Sequence, residues 1–191
     1  MAVKQVRFDT RYAILRAATA VVRARGAGSL TLEATAEGAG VSKGGLLYHF
    51  PTKDALIEGM VEDALARLEA DVDRAVETEP PGSGRWLRAF VKITFAAEPE
   101  HDVSAGVMAA AAVNPELLAP VGAYFGRWHE RSISDGIDPT VAIVVRLACD
   151  GLWFADLFDA APPDNRLRVD LLQSLLQMIA NSETRESSKV T

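Results

Sequence analysis

The sequence has one cysteine, Cys149, only three histidines, and no long apolar run. A single thiol excludes a disulfide framework and any Cys-rich zinc module, and it fits a reducing compartment. Arg146, Asp150 and Asp156 interrupt the most hydrophobic C-terminal segment. No stretch therefore supplies the ~20 predominantly apolar residues of a membrane span, and no membrane partner is expected. Residues 1–25 carry charge throughout and lack the apolar block of a signal peptide, so the expected location is cytoplasmic. His49, His101 and His129 share no metal-ligand spacing, and His129-Glu130 is not followed by the second histidine of a zinc-protease motif. No metal and no cofactor is expected. No stretch alternates convincingly with period two, which argues against a sheet. What is present is an ordinary globular balance, 49% hydrophobic and 24% charged over 191 residues, enough for one domain or two small ones.

The net charge of −6 argues against a nucleic-acid partner, but its distribution reverses the argument. Residues 1–53 hold eight Lys and Arg against three Asp and Glu, a net of +5, and the remainder holds twelve against twenty-three, a net of −11. A basic head on an acidic body is the asymmetry expected when only one end meets a polyanion. Chance clustering on a solvated helix explains the charge alone equally well.

Almost the whole chain reads as helix. Segment 10–25 places Ile14, Ala18, Val21 and Val22 on one face, and Gly26 and Gly28 stop it. Thr31 can cap a short helix LEATAEG, with Glu33 favourable in its first turn. Ser42 can cap a third, KGGLLYHF, which Pro51 ends. Thr52 then caps a long helix from Lys53 to Thr78, with Leu56, Met60, Ala64, Leu68 and Val72 along one stripe. After the linker EPPGSG (79–84), helices are expected near 85–97, 103–113, 115–134, 139–160 and 166–180, and a tail without stable structure over 182–191.

The informative stretch is 31–53, TLEATAEGAGVSKGGLLYHFPTK, a short helix, a glycine-containing turn, a second short helix and a stop. That is helix-turn-helix grammar. Leu32, Ala36, Val41, Leu46 and Leu47 can form the small core that fixes the angle between the two helices. Ser42 offers backbone N–H groups and a hydroxyl at a helix start, where phosphate binds well. Lys43 lies in the first turn of the second helix, the part that enters a major groove. Tyr48 and His49 follow one to two turns later, placed to donate to phosphates, and Lys53 adds a further cation.

The run GAGVSKGGLLYHFPTKDAL resembles the N-terminal DNA-binding domain of TetR-family transcriptional repressors. The likeness spans roughly residues 10–57 and rests on the Val-Ser-Lys-Gly core, the Tyr-His-Phe end and the Lys-Asp-Ala-Leu restart at the family's spacing. It implies phosphate contacts from Thr31, Ser42, Tyr48 and Lys53, with Lys43, Gly44, Gly45 and His49 in or beside the base-reading surface. Gly45 departs from the family's usual small side chain. Two adjacent glycines in a short helix each cost ~1 kcal/mol relative to alanine. Tolerance at first-turn positions explains Gly44. Close backbone approach to base edges is the functional alternative for Gly45, leaving more weight on Lys43 and DNA shape.

Two other matches mislead. Gly40-Val-Ser42-Lys-Gly44 fits G-x-S-x-G, but a nucleophile elbow needs a strand before the serine, and here a helix and a turn precede it. Gly38-Ala-Gly40 lacks the third glycine of a dinucleotide fingerprint, since Lys43 stands there.

In the body, the aromatic residues read first as core. The resemblance implies an effector cavity among them, with Phe90, Met108, Tyr124, Trp128, Asp150 and Trp153 as candidates. Pockets are mostly apolar with a few placed polar groups. Asp150, flanked by apolar residues, either meets a ligand donor or pairs with Arg146 one turn back. The helix 139–160 is apolar nearly all round, with Ala148, Gly151 and Ala155 permitting close approach of another helix, and the last helix adds Leu171, Leu172, Leu175, Leu176 and Ile179. These two helices suit a two-fold four-helix interface, the family's usual arrangement, or ordinary intrachain packing.

The expected architecture is all-α, about nine helices: a helix-turn-helix head over 1–53 and a larger ligand-binding and dimerisation domain over 54–181. The expected function is non-enzymatic: a homodimeric repressor that binds a palindromic double-stranded DNA operator and is released by a small-molecule effector. The alternatives are a helical small-molecule binding protein or enzyme whose head does not bind DNA, and a helical adaptor with neither cavity nor DNA.

Overall fold

The computed structural model describes residues 2–96, 110 and 114–187, with only the backbone course given for 2–9 and 183–187. Every regular element among them is helical: α1 (Ala2–Arg25), α2 (Leu32–Gly38), α3 (Lys43–His49), α4 (Lys53–Thr78), α5 (Arg85–Phe95), α6 (Ala119–Ile133), α7 (Pro139–Leu157) and α8 (Asn165–Ser187), with 3-10 turns at Ala27–Ser29 and Pro115–Leu118. The described chain divides into two compact units, one reaching Arg67 and taking in 114–123, the other running from Leu68 and again from Tyr124. The division falls inside α4 and not at its start.

In the first unit, α1 packs on α2 and α2 on α3. Ile14, Ala18 and Val22 of α1, Ala36 of α2, Leu46 of α3 and Leu56, Ile57 and Met60 of α4 are all buried. The turn between α2 and α3 uses Gly40 at φ +66, a conformation that costs glycine nothing. Phe50, just past α3, is buried, with the Arg11 guanidinium 5.0 Å from its ring centre. Its ring lies so close to α4 that a methyl group at Gly59 would be 2.6 Å from Phe50 Cε1. A glycine in mid-helix weakens the helix, but here it lets the segment after α3 seat directly on the α4 backbone.

In the second unit, α5 packs against α7 and α8, which also pack together. The start of α5 is capped from far away in sequence. Asp135 accepts from the Trp86 N–H at 3.1 Å and the Leu87 N–H at 2.8 Å, and its backbone oxygen accepts from Gly84 N–H at 2.6 Å. Burial pushes the Asp135 carboxyl above the usual carboxylate range, against the opposing pull of those two amides. Asp138 caps α7, its Oδ1 accepting from the Thr140 N–H at 2.8 Å. The linker 79–84 is tied down: Glu79 is buried, with Lys92 Nζ 2.6 Å from its carboxylate, and Arg88 donates to the Pro80 and Ser83 carbonyls.

Several boundaries move. α1 begins at Ala2 and not near residue 10, since VKQVRFD contains neither glycine nor proline to stop it. The helix expected from 115 opens with a 3-10 turn, where Asn114 Oδ1 accepts from the Glu116 N–H at 3.0 Å. The segment expected as a loose tail from 182 is helical as far as Ser187. Ser182 is buried, and its hydroxyl accepts from the Asp138 N–H at 3.0 Å, which anchors the end of α8 to the start of α7. The helix expected over 103–113 and residues 188–191 lie outside the described residues, apart from helical Ala110.

Candidate functional site

The two short helices of the first unit are held by the caps their sequences suggest. Thr31 Oγ1 accepts from the Ala34 N–H at 3.0 Å, and Ser42 Oγ accepts from the Gly45 N–H at 3.0 Å. Each bond satisfies an amide that would otherwise lack a partner. Thr52 does the same for α4, where Ala55 N–H donates to its Oγ1 at 3.0 Å, immediately before half-buried Lys53. Ser42, Lys43, Gly44 and Tyr48 are all exposed, Tyr48 by 64% of its surface. Its ring meets His49 edge-on at 5.3 Å. Hydroxyls, a phenol, an imidazole and two ammonium groups thus lie along 31–53, the donor chemistry a phosphate backbone accepts.

The two glycines differ. A methyl at Gly44 would meet only Ser42 Oγ, at 4.0 Å, whereas at Gly45 it would come within 3.3 Å of that oxygen. The absent side chain at Gly45 therefore leaves the Ser42 cap uncrowded. Lys43 is not a lone cation: its Nζ lies 2.6 Å from Glu33 Oε1 of α2, and this hydrogen bond holds the Glu33 carboxyl below the usual carboxylate range. In the sequence Glu33 stands out only as a favourable first-turn charge. An acid near the start of one helix and a cation at the start of the next are the sole signal of the pair.

In the second unit the aromatic candidates join one string of ring contacts. Trp86 stacks on Phe90 at 5.0 Å, Phe90 meets Trp128 at 5.5 Å, and Trp128 meets both Tyr124 and Phe125. Phe125 then meets Trp153, which meets Phe154. Phe90, Tyr124, Trp128 and Trp153 are therefore brought together, while Met108 lies outside the described residues. Asp150 takes the paired alternative: its carboxylate bonds the Arg146 guanidinium, and both are buried. Burial still pushes the Asp150 carboxyl upward, against the pull of Arg146. Among the described residues, the buried Arg146 Nε and Trp86 Nε1 have no hydrogen-bond partner.

α7, apolar nearly all round, buries one side within the described chain. Ala142, Val145, Cys149 and Leu152 of α7 face inward. Val144, Leu147, Ala148, Gly151, Phe154 and Phe158 form an exposed stripe at spacings of three and four, with Leu147 54% and Phe158 57% exposed. Leu167, Leu171 and Met178 of α8 are exposed as well. Among the described residues, and leaving aside its chain neighbours and the backbone of its own helix, nothing lies within 4 Å of a methyl group placed on Gly151.

Comparison with known proteins agrees at both ends of the chain. Residues 14–60 match the family described as bacterial regulatory proteins, tetR family, and residues 84–180 match the tetracyclin repressor-like C-terminal domain. Over 97 residues the chain is 27% identical to the HTH-type transcriptional regulator EthR of Mycolicibacterium smegmatis, a match covering 51% of this chain and 45% of that one. The matched stretch therefore spans less than half the length of that relative. Among solved structures, a member of the TetR family from Streptomyces coelicolor A3 superposes with a TM-score of 0.62 at 26% identity, covering 89% of this chain and 98% of that one. The multidrug binding protein EbrR complexed with ethidium gives 0.63 at 22% identity, covering 89% and 98%.

Proposed function

Because the chain belongs to the TetR family of bacterial transcriptional regulators, we propose that it acts as a ligand-responsive repressor. It binds a palindromic operator as a homodimer and leaves it when a small apolar or amphipathic effector binds the second unit. The observation that carries this reading is the exposed α3 surface, where Lys43 and Tyr48 lie open to solvent on a helix anchored by Phe50 and capped by Ser42. Lys43, Gly44, Gly45 and His49 face the base edges. Thr31, Ser42, Tyr48 and Lys53 hold phosphates and so set register without reading sequence. The exposed apolar residues of α7 and α8 support a second copy of the chain as their cover, since clustered exposed apolar side chains mark an interaction site. Two heads then address half-sites about one helical turn apart, ~34 Å, or a multiple of it.

The effector side rests on the aromatic string. Phe90, Tyr124, Trp128 and Trp153, and Met108 by sequence, supply apolar surface, and Trp86 Nε1 and Arg146 Nε, buried donors with no partner among the described residues, supply polarity. Asp150 serves chiefly to orient Arg146. A ligand complexed with EbrR, a relative of like fold, is in keeping with such a site. α4 has 26 residues and contributes to both units. At 1.5 Å per residue it is ~39 Å long, and as a helix shared by both units it is the element through which effector binding would reach the head. The coupling needed is ~1–3 kcal/mol and must be reciprocal. All three tryptophans lie in the aromatic string, so quenching of their fluorescence reads ligand affinity directly. Hits from a panel of small aromatic and amphipathic compounds are titrated with and without saturating operator. The expected result is weaker ligand binding on DNA by the same factor that ligand weakens DNA binding. Equal affinities would refute ligand control.

A further inference from the structure

A lysine ammonium is a compact charge with three donors on a flexible four-carbon stem. Left unrestrained beside DNA, it can neutralise any phosphate within reach, and phosphates carry no sequence information. Lys43 is not left so. Its Nζ sits 2.6 Å from Glu33 Oε1, and the two side chains are 61% and 65% exposed, both open to a docking duplex. Glu33 occupies the first turn of α2, where the helix dipole favours an anion. Lys43 is the first residue of α3, so the pair bridges the two helices across the turn at Gly40.

We propose that Glu33 is a specificity-determining residue of the DNA-reading surface, which pins the Lys43 ammonium for base readout and withholds it from phosphates. The inference rests on the DNA-binding reading above. One of the three ammonium donors is taken by Glu33, leaving two aimed from a fixed point. Guanine presents two adjacent acceptors, N7 and O6, in the major groove, whereas adenine presents an acceptor beside a donor. Two fixed donors therefore favour guanine. Non-specific DNA, which offers only phosphates to Lys43, meets a neutralised pair and the unfavourable Glu33 carboxylate. The acid thus weakens binding to wrong sequences more than to the right one, the repulsive element that discrimination commonly needs.

The test compares the full-length protein with Glu33→Gln, Lys43→Ala and the double variant, using an operator selected from random duplexes and a scrambled duplex. Affinity is measured from 50 to 200 mM salt. In the parent, guanine should be preferred by ~10-fold or more at one base pair of each half-site, in line with a well-placed side-chain contact. Glu33→Gln should reduce that preference to ~3-fold or less and strengthen binding to the scrambled duplex. It should also steepen the salt dependence by ~0.9 in log–log slope per head, the signature of one added phosphate contact. In the Lys43→Ala background, Glu33→Gln should strengthen both duplexes alike, by removing the repulsion of the carboxylate, and leave the base preference unchanged. Three results would overturn the inference: an unchanged guanine preference and slope in Glu33→Gln, equal losses on both duplexes with a lowered Tm (the mark of a merely structural role), or the same change of preference by Glu33→Gln without Lys43. A parent protein that selects no sequence at all overturns the DNA-binding reading and this inference with it.

Discussion

Gly151 offers a clean separation between intrachain and interchain packing. It lies mid-way along the exposed stripe of α7, and a Cβ there meets none of the described residues beyond its own helix turn within 4 Å. Gly151→Leu should therefore leave the isolated fold intact. It should even favour α7, because glycine in a helix interior costs ~0.8–1.0 kcal/mol relative to alanine, while leucine is close to alanine. In a two-fold dimer built on this stripe the added isobutyl group meets the partner helix twice. Overpacking costs ~1–3 kcal/mol per site, and a two-fold axis doubles it to ~2–6 kcal/mol. At 1.4 kcal/mol per tenfold, the dimer Kd should rise ~30-fold at the least. Sedimentation velocity against concentration reads the shift, far-UV circular dichroism reports retained helix, and operator binding should fall with the dimer. An undisturbed dimer would refute α7 as the interface. A protein that loses helix would refute the claim that Gly151 faces away from its own chain.

Further expectations concern the head and the supports of the second unit. Tyr48→Phe and Lys53→Ala should weaken operator and scrambled duplex about equally in anisotropy titrations, whereas Lys43→Ala should also relax one base pair per half-site by ~1–3 kcal/mol. Asp135→Ala removes the acceptor for two α5 amides and should cost ~0.5–2 kcal/mol in urea unfolding, as lost caps do. The Asp135 carboxyl is raised above 3.8 in the fold, so the folded state binds its proton more tightly than the unfolded chain. Its contribution to stability is largest at low pH and declines as pH rises through the raised value. Asp135→Asn should lack that decline when unfolding is followed across the same range. Burial pushes the Cys149 thiol up to about 12, so the native protein at pH 8 should resist iodoacetamide and react once unfolded, as mass spectrometry would register.

What could be read from the sequence was whatever is local. The caps at Thr31, Ser42 and Thr52 span three residues each, and the α4 stripe recurs at four, so side-chain type and spacing suffice. The Arg146–Asp150 pair is likewise visible as a one-turn spacing. The Asp135 cap was not legible, because it joins residues 48 and 49 apart. The reach of α8 to Ser187 depends on Ser182 meeting Asp138, again across 44 positions. Glu33 is not legible as a partner because its bond to Lys43 depends on the angle between α2 and α3, which no periodicity encodes. The effector region is the hardest case: Phe90 and Trp128 are nine-tenths or more buried, and apolar pocket and apolar core draw on the same residues.

The account stands on DNA reading by two symmetric heads, and selection from random duplexes measures this most directly. The purified protein is incubated with a random-sequence pool near physiological salt, and retained duplexes are amplified and sequenced over several rounds. The account predicts an enriched sequence with two-fold symmetry, half-sites one turn or a multiple of it apart, and affinity that falls steeply with salt. A pool that remains random, or an enriched site without symmetry, would contradict it.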